Sequence, residues 1–141
     1  MFAPVSSQDG AKIAVHWVRR PRGIWVIDRR DGRETPVYAS SSASLRPIGW
    51  SADGKSIYVV EGKGAHLRGL TSFVGTTMTA AKILRLGARG GAVETVAKVP
   101  NDEIGSVTMT RDGRWFVYPV FSSHSDVWVV DDFDVQPDLS R

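Results

Sequence analysis

SQDGAKIAV begins at Ser7, SADGKSIYV at Ser51 and TRDGRWFVY at Thr110. Each segment reads Ser or Thr, any residue, Asp, Gly, two further residues and then an apolar run. Repeated units adopt the same local structure and stack on their neighbours, so this triplication restricts the fold more than any other feature. Sixteen residues after Asp9 stands Trp25, in GIWVID, and sixteen after Asp112 stands Trp128, in DVWVVD. In the middle unit the matching residue is Leu84, in KILRLG, 31 after Asp53. The surplus of 15 residues also accounts for unit spacings of 44 and then 59. A single insertion explains both.

Asp31-Gly32 in the first unit falls on Gly90-Gly91 in the second, each pair between two strand-like runs. Such pairs supply the positive φ angles of tight hairpin turns. Each unit therefore reads as four antiparallel strands, in the second unit 45–50, 56–61, 82–87 and 92–98. Valine, isoleucine, tryptophan and tyrosine dominate these runs and helical periodicity is absent, so the fold class is all-β. IAVHWV, SIYVV and DVWVV are apolar almost throughout, the pattern of a small sheet covered on both faces by neighbouring sheets. RETPVYAS and VETVAKV are more polar and fit an outer rim. Four-stranded units of about 45 residues stacked face to face describe the blades of a β-propeller.

The three turns resemble the Ser-Pro-Asp-Gly turn after the innermost strand in the WD-like repeats of TolB-type propellers. SQDG, SADG and TRDG each replace the proline. The closing segment SHSDVWVVDDFD is similar to the last blade of propellers at the C-terminal end of larger bacterial proteins. The resemblance covers about residues 3–135. It implies a partial propeller of three four-stranded blades, the last incomplete, within one domain spanning 1–141. Blade 1 takes about 2–44, blade 2 about 45–100 with an insertion at about 61–80, blade 3 about 104–135, and 136–141 form a tail. Propellers close with four or more blades. Three blades need either further blades from a longer chain or a second copy, and the first is the expectation favoured here.

The chain has 141 residues, 42% hydrophobic and 23% charged, the balance of a globular domain. No run of 18 apolar residues occurs, so no apolar helix long enough for a membrane is expected and no membrane partner is assigned. The start, MFAPVSSQDG, lacks a basic stretch and apolar core of a secretory signal, which leaves cytoplasm and periplasm both open. With no cysteine there is no disulfide framework, thiolate metal site or thiol nucleophile. Residues 1–35 carry seven Lys or Arg against four Asp or Glu, whereas 120–141 carry five Asp against Arg141 alone.

Catalytic signatures are absent. GWSAD at 49–53 has Asp53 where a nucleophile elbow needs its second Gly, and a strand follows instead of a helix. GKGAHL at 62–67 lacks the last Gly of a dinucleotide loop. His124, Ser125 and Asp126 are consecutive, and consecutive strand residues point to alternate faces instead of converging as a triad does. Asp9, Asp53 and Asp112 are read as aspartates bonding the N–H groups of their own turns, in preference to a carboxylate ring around a cation. Asp131, Asp132 and Asp134 lack the glycine and terminal glutamate of a calcium loop and are read as a solvated chain end. Trp25 and Trp128 are assigned to packing between blades; Trp17, Trp50 and Trp115 carry no assigned ligand role. His16 and His66 have no ligand spacing. No catalytic, cofactor-binding or metal residue is therefore assigned, and no cofactor.

Two segments remain. The insertion, EGKGAHLRGLTSFVGTTMTA, offers His66, Arg68 and Phe73 for contact with a partner. Arg19, Arg20 and Arg22 lie in a second turn, whereas Arg29, Arg30 and Arg33 flank a third. Alternate turns of a meander lie at opposite ends, so the basic group is divided, which argues against a nucleic-acid partner. The expected role is a non-enzymatic recognition scaffold for a protein or ligand, the C-terminal part of a larger bacterial regulatory or envelope protein. Its partners are a protein, additional blades, or a second copy in a homodimer. The competing role is part of the gating propeller of a prolyl-oligopeptidase-like serine peptidase whose catalytic domain lies elsewhere.

Overall fold

A computed structural model describes residues 2–41, 43–65, 77–99, 103–110 and 112–121. Among them there are only strands and turns. The first meander runs β1 (Phe2–Ser6), β2 (Lys12–Trp17), β3 (Gly23–Asp28) and β4 (Glu34–Ala39), in that order across one antiparallel sheet. The second runs β5 (Ser44–Trp50), β6 (Ser56–Ala65), β7 (Thr77–Gly87) and β8 (Val93–Lys98). Four short strands follow: β9 (Glu103–Ile104), β10 (Thr108–Met109), β11 (Phe116–Val117) and β12 (Val120–Phe121).

The repeat extends to single-residue register. Ser6 pairs with Ile13, Trp50 with Ile57 and Met109 with Phe116, at equivalent positions of the three units. The first hairpins of units one and two break register at corresponding places, between Phe2 and Val5 and between Pro47 and Gly49. The third and fourth strands agree as well. Trp25 faces Pro36 as Leu84 faces Thr95, each just after a shift at Ile24 or Ile83. A bulge adds one residue and increases local twist, so repeating it at fixed positions gives successive sheets the same curvature.

The turns explain this fidelity. In the first, the Ser7 hydroxyl donates to Asp9 Oδ1 at 2.6 Å while that oxygen accepts the Ala11 N–H at 3.0 Å. Ser51 and Asp53 repeat the pair at 2.6 Å, with the Lys55 N–H at 3.0 Å. Thr110 and Asp112 repeat it again with Arg114. Gly10, Gly54 and Gly113 sit at φ 67°, 65° and 71°, where a Cβ is strained.

Two cores flank the second sheet, because alternate residues of a strand point to opposite faces. Ile57, Val59, Leu84 and Leu86 face the first sheet and bury Ala14, Ile24, Val26 and Val37. Val60, Ala81 and Ile83 face the other way, against Ile104 and Val107 with Tyr58, Phe116 and Tyr118 at the margin. The Trp50 indole N–H also donates to the Val5 carbonyl at 2.9 Å, tying β5 to β1. The expected two-sided burial thus holds for the middle unit.

Three departures from the sequence reading follow from tertiary contacts. The strands form sheets of four, six and two instead of three separate four-stranded sheets. The cause is Met78, which pairs with Ile104 and joins β9 and β12 to the second sheet. Second, both ends of the insertion are strand: β6 continues to Ala65 and β7 begins at Thr77, nine residues being drawn into paired arms. Third, Trp25 packs within its own unit. Its ring meets that of Trp17 at 6.0 Å and 64°, and the Arg19 guanidinium lies 3.7 Å from the Trp17 centroid and 4.2 Å from that of Trp25. This pair and its cation cover the face of the first sheet that turns away from the second.

Candidate functional site

First and third turns of both meanders share one end of the structure. Two adjoining depressions, of about 470 and 540 Å³, open there where the meanders meet. Lys12, Val26 and Ala88 shape the first, with Asp28, Asp31 and Arg33 from the third turn of unit one. Lys12, Ala88 and Arg89 continue into the second, which Asp53, Gly54 and Lys55 complete from the first turn of unit two. Val26 and Ala88 are buried and give the cleft an apolar floor. A shallower hollow lies between the two Asp-Gly turns, against Ser7, Asp9 and Asp53.

Backbone bonds fix the rim. The Arg29 N–H donates to the Ala11 carbonyl at 2.9 Å, and at the equivalent place the Ala88 N–H donates to Lys55, also at 2.9 Å. Each third turn is thereby held against the first turn of its own unit, which brings Arg89 beside Lys55.

The charges of the cleft are unequally engaged. Asp28 Oδ1 accepts the Arg30 N–H and Asp31 Oδ1 the Arg33 N–H, both at 2.9 Å. Asp31 also lies 3.8 Å from the Arg33 guanidinium. Asp53 is bound within its turn, and the Ser51 hydroxyl, then the Lys55 N–H, hold its carboxyl below the ordinary 3.8. Asp9 and Asp112 are lowered in the same way by Ser7 and Thr110. The Lys12, Lys55 and Arg89 side chains form no ion pair among the described residues. The carboxylates are hydrogen-bonded within their own turns, Lys55 adds a weaker charge effect on Asp53, and none of the three cations is held in an ion pair among the described residues.

The residues singled out from sequence fare differently. His66, Arg68 and Phe73 lie outside the described residues, as do Trp128, the His124–Asp126 run and the acidic cluster at Asp131, Asp132 and Asp134. Asp9, Asp53 and Asp112 are the turn-forming aspartates expected. Among the described residues no three His, Cys, Asp or Glu side chains gather as metal ligands. His16 is buried, and that burial is the first cause lowering its pKa from 6.5. Arg19 pairs with Glu34 and is stacked on tryptophan, so it leaves the basic group. Arg33 joins Lys12, Lys55 and Arg89, a set drawn from two units and four segments. The parity of the turns could have placed them at one end; their convergence needed the stacking of the sheets.

A buried polar link crosses between units on β4 and β6. The Tyr38 hydroxyl donates to Glu61 Oε1 at 2.8 Å, and Lys82 Nζ lies 2.7 Å from Glu61 Oε2. Burial first, then the bond to Glu61 and its charge, push the Tyr38 hydroxyl up to about 12. With Oε1 hydrogen-bonded to Tyr38 and Oε2 held by the Lys82 charge alone, without a hydrogen bond, this carboxylate joins sheets.

No protein-family model matches the chain, and no curated protein sequence does.

Proposed function

We propose that the chain is a partial β-propeller of the TolB type, serving as a non-catalytic recognition scaffold within a larger bacterial regulatory or envelope assembly. The observation that supports this best is the repeated register, with the same turn bonds in three successive hairpins and a matching bulge in the first two. Units that curve alike and bury one sheet between two neighbours stack by a constant step, the construction principle of propellers and other repeat folds. In such a scaffold the binding surface lies where turns of adjacent units meet, which here is the Lys12–Lys55–Arg89 cleft. Three units are fewer than a closed ring uses, so further blades or a second copy complete it.

Translation of the reading frame on both sides of the coding sequence tests the proposal. Additional Asp-Gly units at spacings of about 45 residues, beside a regulatory or envelope domain, are the expected result. A Gly-x-Ser-x-Gly hydrolase domain beside the blades would transfer the chain to the peptidase-gating role. Stop codons on both sides, together with a compact monomer in light scattering, would overturn the incomplete ring.

A further inference from the structure

We infer that the cleft between the first two meanders binds the phosphoryl group of a small phosphorylated ligand, gripped by Lys12, Lys55 and Arg89. The inference rests on the recognition role proposed above and adds the ligand chemistry. Three features carry it. The three cations reach one cleft from separate segments, at the start of β2, in the first turn of unit two and in its third turn. None is neutralised by an ion pair among the described residues. The neighbouring carboxylates of Asp28, Asp31 and Asp53 are instead drawn into their own turns by backbone N–H groups.

A phosphoryl group suits this arrangement better than a single carboxylate does. It offers three oxygens and close to two negative charges at neutral pH, enough to engage two or three cationic side chains together. Lys12, Lys55 and Arg89 gather at one depression instead of forming a continuous basic stripe, so a compact anion is favoured over a nucleic-acid backbone. The floor of Val26 and Ala88 is apolar and buried, and volumes near 500 Å³ lie within the range of small-molecule sites. Together these features describe a ligand with a phosphate at one end and a flat or apolar body.

Calorimetric titration of the full chain at low ionic strength provides the test, with inorganic phosphate, adenosine monophosphate, adenosine and succinate as probes. Saturable binding of phosphate and of adenosine monophosphate is expected, with none of adenosine or succinate. Lys55→Ala and Arg89→Ala, both exposed positions, are each expected to weaken phosphate binding about tenfold or more. Arg22→Ala, at the opposite end, should leave it unchanged, and circular dichroism checks that every variant folds. Inorganic phosphate binding as tightly as adenosine monophosphate would identify the free ion as the ligand and keep the site. Absence of saturable phosphate binding, adenosine binding as tightly as its monophosphate, or equal weakening by Arg22→Ala would overturn the inference. A cleft indifferent to phosphate leaves the repeat-based scaffold standing, because that role is tested by the flanking reading frame.

Discussion

Asp53 shows how much one side chain fixes in this fold. Its carboxylate takes the Ser51 hydroxyl and the Lys55 N–H, and the Ser51 hydroxyl in turn accepts the Ser56 N–H at 2.9 Å. Four residues of reversal are thereby held by one oxygen pair, and the hairpin register follows. The Ser51 bond, first among the causes, lowers the carboxyl from 3.8. A depressed folded pKa adds stability that is present above the unfolded value and is lost as pH falls through the folded one. Asp53→Asn keeps an oxygen acceptor but removes the charge. Its thermal midpoint is expected to lie below that of the wild type at neutral pH, with the gap closing as pH drops below about 4. A gap of constant size across that range would show that the ionised carboxylate adds nothing. Asp9 and Asp112 occupy the same position in their turns, so each should behave alike.

Gly23 marks the opposite kind of residue, one chosen for what it lacks. A Cβ there would stand 1.9 Å from the Tyr38 carbonyl oxygen, a backbone atom that cannot swing away. The absence of a Cβ permits the close approach of β3 and β4 at this point.

Among the elements, β6 and β7 each carry a specific link to a neighbouring unit, Glu61 to Tyr38 and Met78 to Ile104. The bond from Tyr38 to Glu61 joins β4 to β6 and satisfies one oxygen of a carboxylate whose side chain is only 10% exposed. Tyr38→Phe removes a donor to a buried charge and is expected to cost about 1.5–3 kcal/mol, read from denaturant unfolding. The wild-type hydroxyl, raised from 10.0 to about 12, contributes stability that is complete below pH 10 and is lost as pH rises from 10 to about 12. The Phe variant should lack that component of alkaline destabilisation. Parallel pH profiles in the two proteins would count against the link.

The arm of β7 carries a second connection. Met78, 4% exposed, belongs to the core between the second sheet and the third hairpin and pairs with Ile104. The insertion therefore has a structural base as well as a tip, and removing all 15 surplus residues would unseat β9. Met78→Ala is expected to cost about 2–5 kcal/mol in chemical denaturation. Val96→Ala, on the exposed rim strand, should stay within about 0.5 kcal/mol. Equal costs at both positions would mean that the third hairpin does not depend on the arm.

At the scale of the whole molecule, the covering of the sheets is uneven. The second sheet is packed on both faces, and the first is closed on its outer side by Trp17, Trp25 and Arg19. On the third hairpin, Trp115, Val117 and Val120 are 67%, 59% and 53% exposed. Apolar area left wet forgoes about 25 cal/mol per Å², which favours association through that hairpin. Light scattering of the purified chain is expected to give a mass above that of the 15.4 kDa monomer, and Val117→Lys should lower it. A compact wild-type monomer would exclude completion by a second copy and leave further repeats as the way to complete the proposed propeller.

The sequence by itself determined what depends on neighbours along the chain. Asp-Gly and Gly-Gly pairs dictate reversals, runs of apolar β-branched and aromatic residues dictate strands, and the repeat with one insertion aligned Trp25 with Leu84 before any contact was known. These are consequences of short-range backbone geometry, which repeats wherever the residues repeat. Tertiary structure decided what depends on residues distant in the chain. It turned Trp25 inward on Trp17 and Arg19, joined Ile104 to Met78, and brought Lys12, Lys55 and Arg89 to one cleft. Spacing along a chain does not encode the angle at which two sheets stack, and that angle determines which charges become neighbours.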